Sequence, residues 1–251
     1  YTGGPRTLTQ ALEAMSLCAY ALTGFRRTSE KSAEGALKYF LLGAFTAALL
    51  LYGVALLYGV TGRTDFAGVA RGLDIGAGGP AAPVALVGSM LVLVGLAFKV
   101  SAVPFHMWTP DAYQGAPTPV TAFMSVVVKG AAFAALMRVL GVAFAGPLLS
   151  SAAAGWPPIL AALAVLTMTF GNLVALRQDN LKRMLAYSSI AHAGYLLVGV
   201  VAAWKAPEAG RSSVLFYLLA YTVSNVGAFG AIVLFARKGA ESVDLEDFAG
   251  V

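Results

Sequence analysis

Charge is scarce in this chain. Asp, Glu, Lys and Arg make up 12% of its 251 residues, where a soluble domain carries about a quarter. A soluble core needs polar residues to cover it, and too few are present here. Cysteine is nearly missing as well. The single Cys18 allows no intrachain disulfide and no cysteine-built metal site. Lying in an apolar run, it reads as a small buried hydrophobe. There is no phosphate loop, no His-Glu-x-x-His and no Gly-x-Ser-x-Gly elbow. No pair of neighbouring carboxylates suggests a hydrolytic site.

What is abundant is apolar sequence, 59% of residues, with a mean hydropathy of +0.77. It arrives in blocks, at Leu8–Phe25, Leu37–Tyr58, Val84–Val103, Val120–Phe144, Ile159–Leu176, Leu185–Ala203 and Val214–Ala236. About 20 residues of helix cross the hydrocarbon core of a bilayer. Lipid offers the backbone no hydrogen-bond partner, so each block is expected to be a helix. The fold class is all-α, a polytopic bundle of about seven spans. The net charge of +5 does not point to nucleic acid, because the basic residues sit mostly in the short connections. One set of alternate connections holds Arg26, Arg27, Lys31, Arg177, Lys182, Arg183, Arg237 and Lys238, and the other holds Arg6, Arg63, Arg71, Lys205 and Arg211. The first set marks the cytoplasmic side by the positive-inside rule. The chain opens on Tyr1 and reads as an internal piece of a longer protein.

Against this background a few ionisable residues stand inside the blocks. Lys129 has ten apolar-rich residues before it and two further turns after it. At about 1.5 Å per residue it lies near mid-membrane, too deep to snorkel out. A lysine there costs about 2.5–3.5 kcal/mol on insertion scales. Lys99 follows a long apolar run and precedes Pro104 by five residues. A proline removes a helical hydrogen bond and breaks or kinks the helix, and a charge beside a broken helix is a recurring ion-site design. Glu13 is the one acidic residue within a block and the natural partner for a buried lysine. Intramembrane charges of this kind mark ion paths. His106, just past Pro104, and His192, in the sixth block, are lesser relay candidates, since imidazole titrates near neutral pH. Each could equally be a hydrogen-bonded bundle histidine. Lys38, opening the second block, either snorkels or joins the relay. The segment Ala36–Leu42 echoes Val214–Ala220, as inverted repeats would.

The stretch Phe98–Phe123, FKVSAVPFHMWTPDAYQGAPTPVTAF, is far more specific. It resembles the signature of the antiporter-like membrane subunits of respiratory complex I, which share a core with cation/proton antiporter subunits. The form here is nearer the N branch of that family than the L and M branches. Leu12–Leu17, Ala36–Gly43 and Asn180–Ile190 are similar to the family as well. The resemblance implies an antiporter-like core of inverted repeats with a proline-broken helix. The first repeat would occupy about residues 1–145 and the start of the second about 159–251, in a single transmembrane domain. It implies that Glu13 pairs with Lys99, that Lys129 is the central lysine of the next helix, and that His192 sits at a relay position. A further lysine, on the family's second broken helix, falls outside this chain. The implied activity is proton translocation driven by electron transfer from NADH to quinone. NADH, FMN, iron-sulfur clusters and quinone would be held by partner subunits, with no cofactor in this chain. The implied setting is the bacterial inner membrane, among other complex I membrane subunits, lipid, protons and water. A sodium/proton antiporter subunit, a subunit of a membrane-bound hydrogenase complex and a merely connecting subunit are the alternatives.

Overall fold

A computed structural model describes residues 3–76, 79–153, 155–236 and 243–248. The helices are α1 (Pro5–Thr23), α2 (Glu30–Thr61), α3 (Phe66–Gly76), α4 (Ala82–Lys99), α5 (Trp108–Gly115), α6 (Thr118–Phe123), α7 (Lys129–Arg138), α8 (Trp156–Ala175), α9 (Leu181–Lys205) and α10 (Pro207–Leu234). A π-helical turn at Met124–Val128 joins α6 to α7, and a second follows at Val139–Ala143. The whole of Thr118–Ala143 is therefore one interrupted helix. Among the described residues six helices are long and apolar enough to cross a membrane. The first block also forms a helix, but Thr7, Thr9, Gln10, Glu13 and Ser16 dilute it, and it is not one of the six.

Several helices start earlier than their apolar blocks because a polar residue caps them. Ser29 accepts from the Ser32 amide at 3.3 Å and opens α2. Asn180 accepts from the Arg183 amide at 3.1 Å and opens α9. Such caps satisfy amides that a helix end otherwise leaves bare. Proline stands in the first turn of α1, α8 and α10, where its missing N–H costs nothing. The cap at Asn180 corrects one reading of the sequence. Lys182 belongs to the first turn of α9 and is buried, so it is not a loop charge. Arg237 and Lys238 lie outside the described residues. The connection Gly62–Pro83 is likewise more than a loop. It holds α3, whose Phe66, Val69 and Leu73 are buried. Cys18 is exposed rather than buried, since it shares the outward face of α1 with Ala14, Leu17 and Ala21.

Wide apolar faces stay uncovered. Leu37, Leu41, Phe45 and Leu51 of α2 and Leu215, Phe216, Leu219 and Val223 of α10 are all exposed, the inverse of a soluble surface. The polar groups turn inward.

The third block ends sooner than its composition suggests. The α-helix stops at Lys99, Ser101 adopts a left-handed φ of 61° and the Val103–Pro104 bond is cis. The chain then resumes as α5, so the span is broken ahead of the proline. Groups around the break find partners: the Val103 amide donates to Thr167 Oγ1 at 2.9 Å, Trp108 Nε1 donates to the Phe98 carbonyl at 3.1 Å, and Thr109 Oγ1 donates to Ser101 Oγ at 2.9 Å. Helix α5 crosses α2 at backbone distance. A Cβ at Gly35 would stand 2.6 Å from the Asp111 carbonyl oxygen, and one at Gly115 would stand 2.3 Å from that of Lys31. Overpacking of this kind costs about 1–3 kcal/mol. Gly115→Ala in the full-length protein is therefore expected to lower its thermal unfolding temperature and its yield in the assembled complex, while Gly59→Ala, with open space around it, leaves both near the parent value.

Candidate functional site

Among the described residues three lysines are buried in the bundle, Lys99 at 4%, Lys129 at 3% and Lys182 at 1% exposure. Each has a different solution for its charge. Lys99, the last residue of α4, reaches α1. Its Nζ lies 2.9 Å from Glu13 Oε1 and donates to Ser16 Oγ at 2.6 Å. Glu13 and Ser16 are three residues apart and so share one helix face. The Glu13 side chain keeps 27% exposure, whereas the ammonium is enclosed. Lys99 does end a helix, but inside the bundle and with a partner, so it does not snorkel.

Among the described residues Lys129 forms no ion pair with a carboxylate. It is held by neutral oxygens and a ring. Its Nζ donates to the Ser189 carbonyl and to Ser189 Oγ, and it stands 5.7 Å from the centre of the Tyr221 ring. The π-helical turn at Met124–Val128 immediately precedes it, and such turns are common where a helix aims a functional side chain. Ser189 is the hub of this cage. Tyr221 Oη donates to Ser189 Oγ at 2.8 Å, and Tyr113 Oη of α5 lies 3.4 Å from the same atom. Asn225 Nδ2 donates to Tyr221 Oη at 2.9 Å and to Ser125 Oγ at 2.7 Å. Next along α9 and α10, His192 Nδ1 hydrogen-bonds Tyr217 Oη at 2.6 Å, and its ring lies 5.0 Å from that of Tyr221.

The structure thus brings Glu13 to Lys99, and His192 to the flank of the Lys129 cage. Among the described residues it does not join His106 to either group by a hydrogen bond. The His106 ring packs edge-on against Phe170 at 4.7 Å. Lys38 forms a separate cluster at the ends of the helices, 2.6 Å from Glu34 and 2.8 Å from Asp111. Arg183 completes it, with Nη1 2.6 Å from the other Asp111 oxygen and 3.0 Å from Gln114 Oε1. Lys182 donates to the carbonyl of Ala116, the C-cap of α5, where a cation opposes the negative end of the helix dipole. Phe98 and Val128, which immediately precede Lys99 and Lys129, belong to one apolar cluster with Trp108, Tyr113 and Met124. Among the described residues no direct hydrogen bond joins the two lysines.

Ser189, Tyr221, Asn225 and Tyr113 escaped the sequence reading. Hydroxyls and amides in apolar helices are common, and nothing in their spacing showed that α5, α7 and α10 converge on one serine of α9. Asp111 was visible within the motif, but its two cationic partners come from helices far away in the chain. Among the described residues no group of three or more His, Cys, Asp and Glu side chains is placed to hold a metal ion.

Comparison with known proteins gives this arrangement a context. NADH-quinone oxidoreductase subunit N 1 of Sorangium cellulosum (strain So ce56) is 66% identical over 248 residues, covering 98% of this chain and 49% of the relative. NADH-quinone oxidoreductase subunit N of Trichlorobacter lovleyi is 54% identical over 245 residues, covering 98% and 48%. The chain therefore spans about half the length of the curated relatives it matches. Respiratory complex I from Thermus thermophilus with bound Aureothin contains a chain 45% identical with a TM-score of 0.73, covering 95% of this chain and 48% of that one. The Mrp complex from Dietzia sp. DQ12-45-1b contains one 27% identical with a TM-score of 0.80, covering 95% and 42%. The family model described as NADH:quinone oxidoreductase/Mrp antiporter, TM matches residues 7–251, and the chain belongs to that family.

Proposed function

We propose that this chain is part of a proton-translocating membrane subunit of an NADH:quinone oxidoreductase, working in a bacterial inner membrane beside other membrane subunits. The observation that carries the reading is the pair of enclosed lysines, one held by a carboxylate and the other only by neutral groups. NADH, FMN, iron-sulfur clusters and quinone belong to partner subunits in this reading. In this reading residues 1 to about 145 form the first repeat, and about 159–251 the start of the second.

The mechanism is electrostatic. While Glu13 is ionised and near, Lys99 keeps its proton, because a carboxylate within a few ångströms favours the ammonium. A change that draws Glu13 away leaves an unpaired buried charge, and breaking such a pair costs about 3–5 kcal/mol. Release of the proton relieves that cost. Lys129 is the next basic group, and His192 with Tyr217 lies beyond it. Redox work elsewhere in the complex drives the change. Lys38 sits outside this route and anchors α5 through Asp111.

The Mrp antiporter reading shares the lysines, and the 27% identity with similar fold to the Dietzia chain keeps it in view. The much higher identity to subunit N relatives favours the redox-driven one. Sodium dependence of transport separates them.

In assembled complex, Lys129→Ala is expected to reduce NADH-driven proton pumping into vesicles by about 10²-fold, the scale lost with a positioned proton-transfer group. Unchanged pumping would sink the reading. Glu13→Gln and Lys99→Ala should each lower pumping. Their combination should be no worse than Lys99→Ala alone, since contacting residues do not add. Lys38→Ala removes a half-exposed ion pair, typically worth about 0–1 kcal/mol, and should leave pumping within about fivefold of the parent.

A further inference from the structure

Donor and acceptor counting around Lys129 settles which way its neighbours point. Ser125 Oγ donates to the Ala122 carbonyl at 2.8 Å, so its proton is committed and its oxygen can only accept. The group of Asn225 that faces Ser125 at 2.7 Å must then be the NH2. The same nitrogen faces Tyr221 Oη at 2.9 Å, so Tyr221 accepts there and sends its own proton to Ser189 Oγ at 2.8 Å. Ser189 Oγ also accepts from Lys129. Two donors fill the two lone pairs of a hydroxyl. The proton of Ser189 is left to point at Tyr113 Oη, 3.4 Å away on α5.

We propose that Asn225 is a positioning residue that fixes the polarity of this chain and holds the Lys129 cage closed toward His192. An amide N–H gives no proton away, and it takes one lone pair of the Tyr221 oxygen while the hydroxyl proton stays aimed at Ser189. On the α10 side charged Lys129 faces the Tyr221 ring, 5.7 Å away, and the hydroxyl of that residue is turned to Ser189 rather than to the lysine. A proton passes from Lys129 toward His192 only after Tyr221 turns its hydroxyl, and that turn requires Asn225 to let go. All the members are enclosed: Asn225 at 7%, Tyr221 at 5%, Ser189 at 1% and Ser125 at 0% exposure, so bulk water does not replace the missing acceptor. The inference rests on the proton path proposed above and names its gate.

The test uses full-length protein in assembled complex, reconstituted in vesicles, with the decay of a preformed proton gradient as readout. Asn225→Ala frees the Tyr221 oxygen and should raise the leak about fivefold, the scale of a modest coupling between two sites. Adding Tyr221→Phe removes that oxygen and should return the leak to within about twofold of the parent. A merely structural role for Asn225 predicts the reverse, a double variant at least as leaky as the single one. Should Asn225→Ala fail to assemble, Ser125→Ala serves, because it removes the acceptor that orients the amide. A tight membrane with the assembled variant, or a leak that survives Tyr221→Phe, overturns the proposal. Lys129→Ala measured in parallel separates the two levels. If it leaves pumping intact, the proton path itself fails. If it abolishes pumping while the Asn225→Ala membrane stays tight, only the gate fails.

Discussion

An ammonium inside a bilayer must be ringed by oxygens or lose its proton, and this constraint organises the bundle. Lys99, Lys129 and Lys182 are all enclosed, yet their surroundings differ in kind. Lys182 caps the carbonyl end of α5, a fixed backbone dipole that cannot move away. Lys99 leans on a carboxylate of another helix, whose distance can change. Lys129 has the carbonyl and hydroxyl of one serine and an aromatic face, which tolerate either charge state. The first arrangement suits a structural cation, and the other two suit groups that take up and release protons. Burial alone does not separate these roles. The nature of the counter-group does.

The broken span makes the Lys99 arrangement possible. An unbroken helix would satisfy its own amides and carbonyls and would carry Lys99 partway along a continuous rod. Stopping the helix at Lys99 leaves several backbone groups bare in a low-dielectric interior. The structure meets two of them with Thr167 and Trp108, and Thr109 ties down the Ser101 side chain at the break. The second half, α5, is then held at several points: against α2 through the Gly35 and Gly115 crossings, by Asp111 on Lys38 and Arg183, and by Lys182 at its C-cap. Trp108 also stacks on Tyr39 at 4.0 Å with rings nearly parallel. So many anchors on eight residues make α5 a rigid body rather than a loose connector.

Much of this was legible in the sequence because charge in lipid is conspicuous. Lys129 and Glu13 stand out in apolar runs, and Pro104 announces a break near Lys99. The boundaries were less legible. Hydropathy marks where a helix is apolar, not where a cap begins it, so Ser29 and Asn180 start helices that composition places later. Lys182 was misplaced for that reason. The π-helical turn before Lys129 left no trace, since Met-Ser-Val-Val-Val is compatible with an ordinary helix. The cage was hidden more deeply. Ser189, Tyr221, Asn225 and Tyr113 come from three helices, and only the packing of α5, α9 and α10 brings them around one ammonium. Cys18 shows the opposite error: in a membrane bundle an apolar run has an outward face too, so apolar character alone does not imply burial.

In the proposed mechanism a change at Lys99 must reach Lys129. Among the described residues the side chains do not form a continuous hydrogen-bonded wire, and Phe98 and Val128, the neighbours of the two lysines, pack in one apolar cluster with Trp108 and Met124. A rigid element that touches both surroundings is present instead. Helix α5 meets the Lys99 end through Trp108, whose indole donates to the Phe98 carbonyl, and it meets the Lys129 cage through Tyr113 beside Ser189. A small rotation of α5 would alter both contacts at once, and packed elements transmit such shifts because cores do not deform smoothly. The anchors on Asp111 and Ala116 then set the axis about which α5 can turn. On this view the polar cluster at the helix ends matters to proton movement without carrying protons. It fixes one end of the lever whose other end touches Ser189.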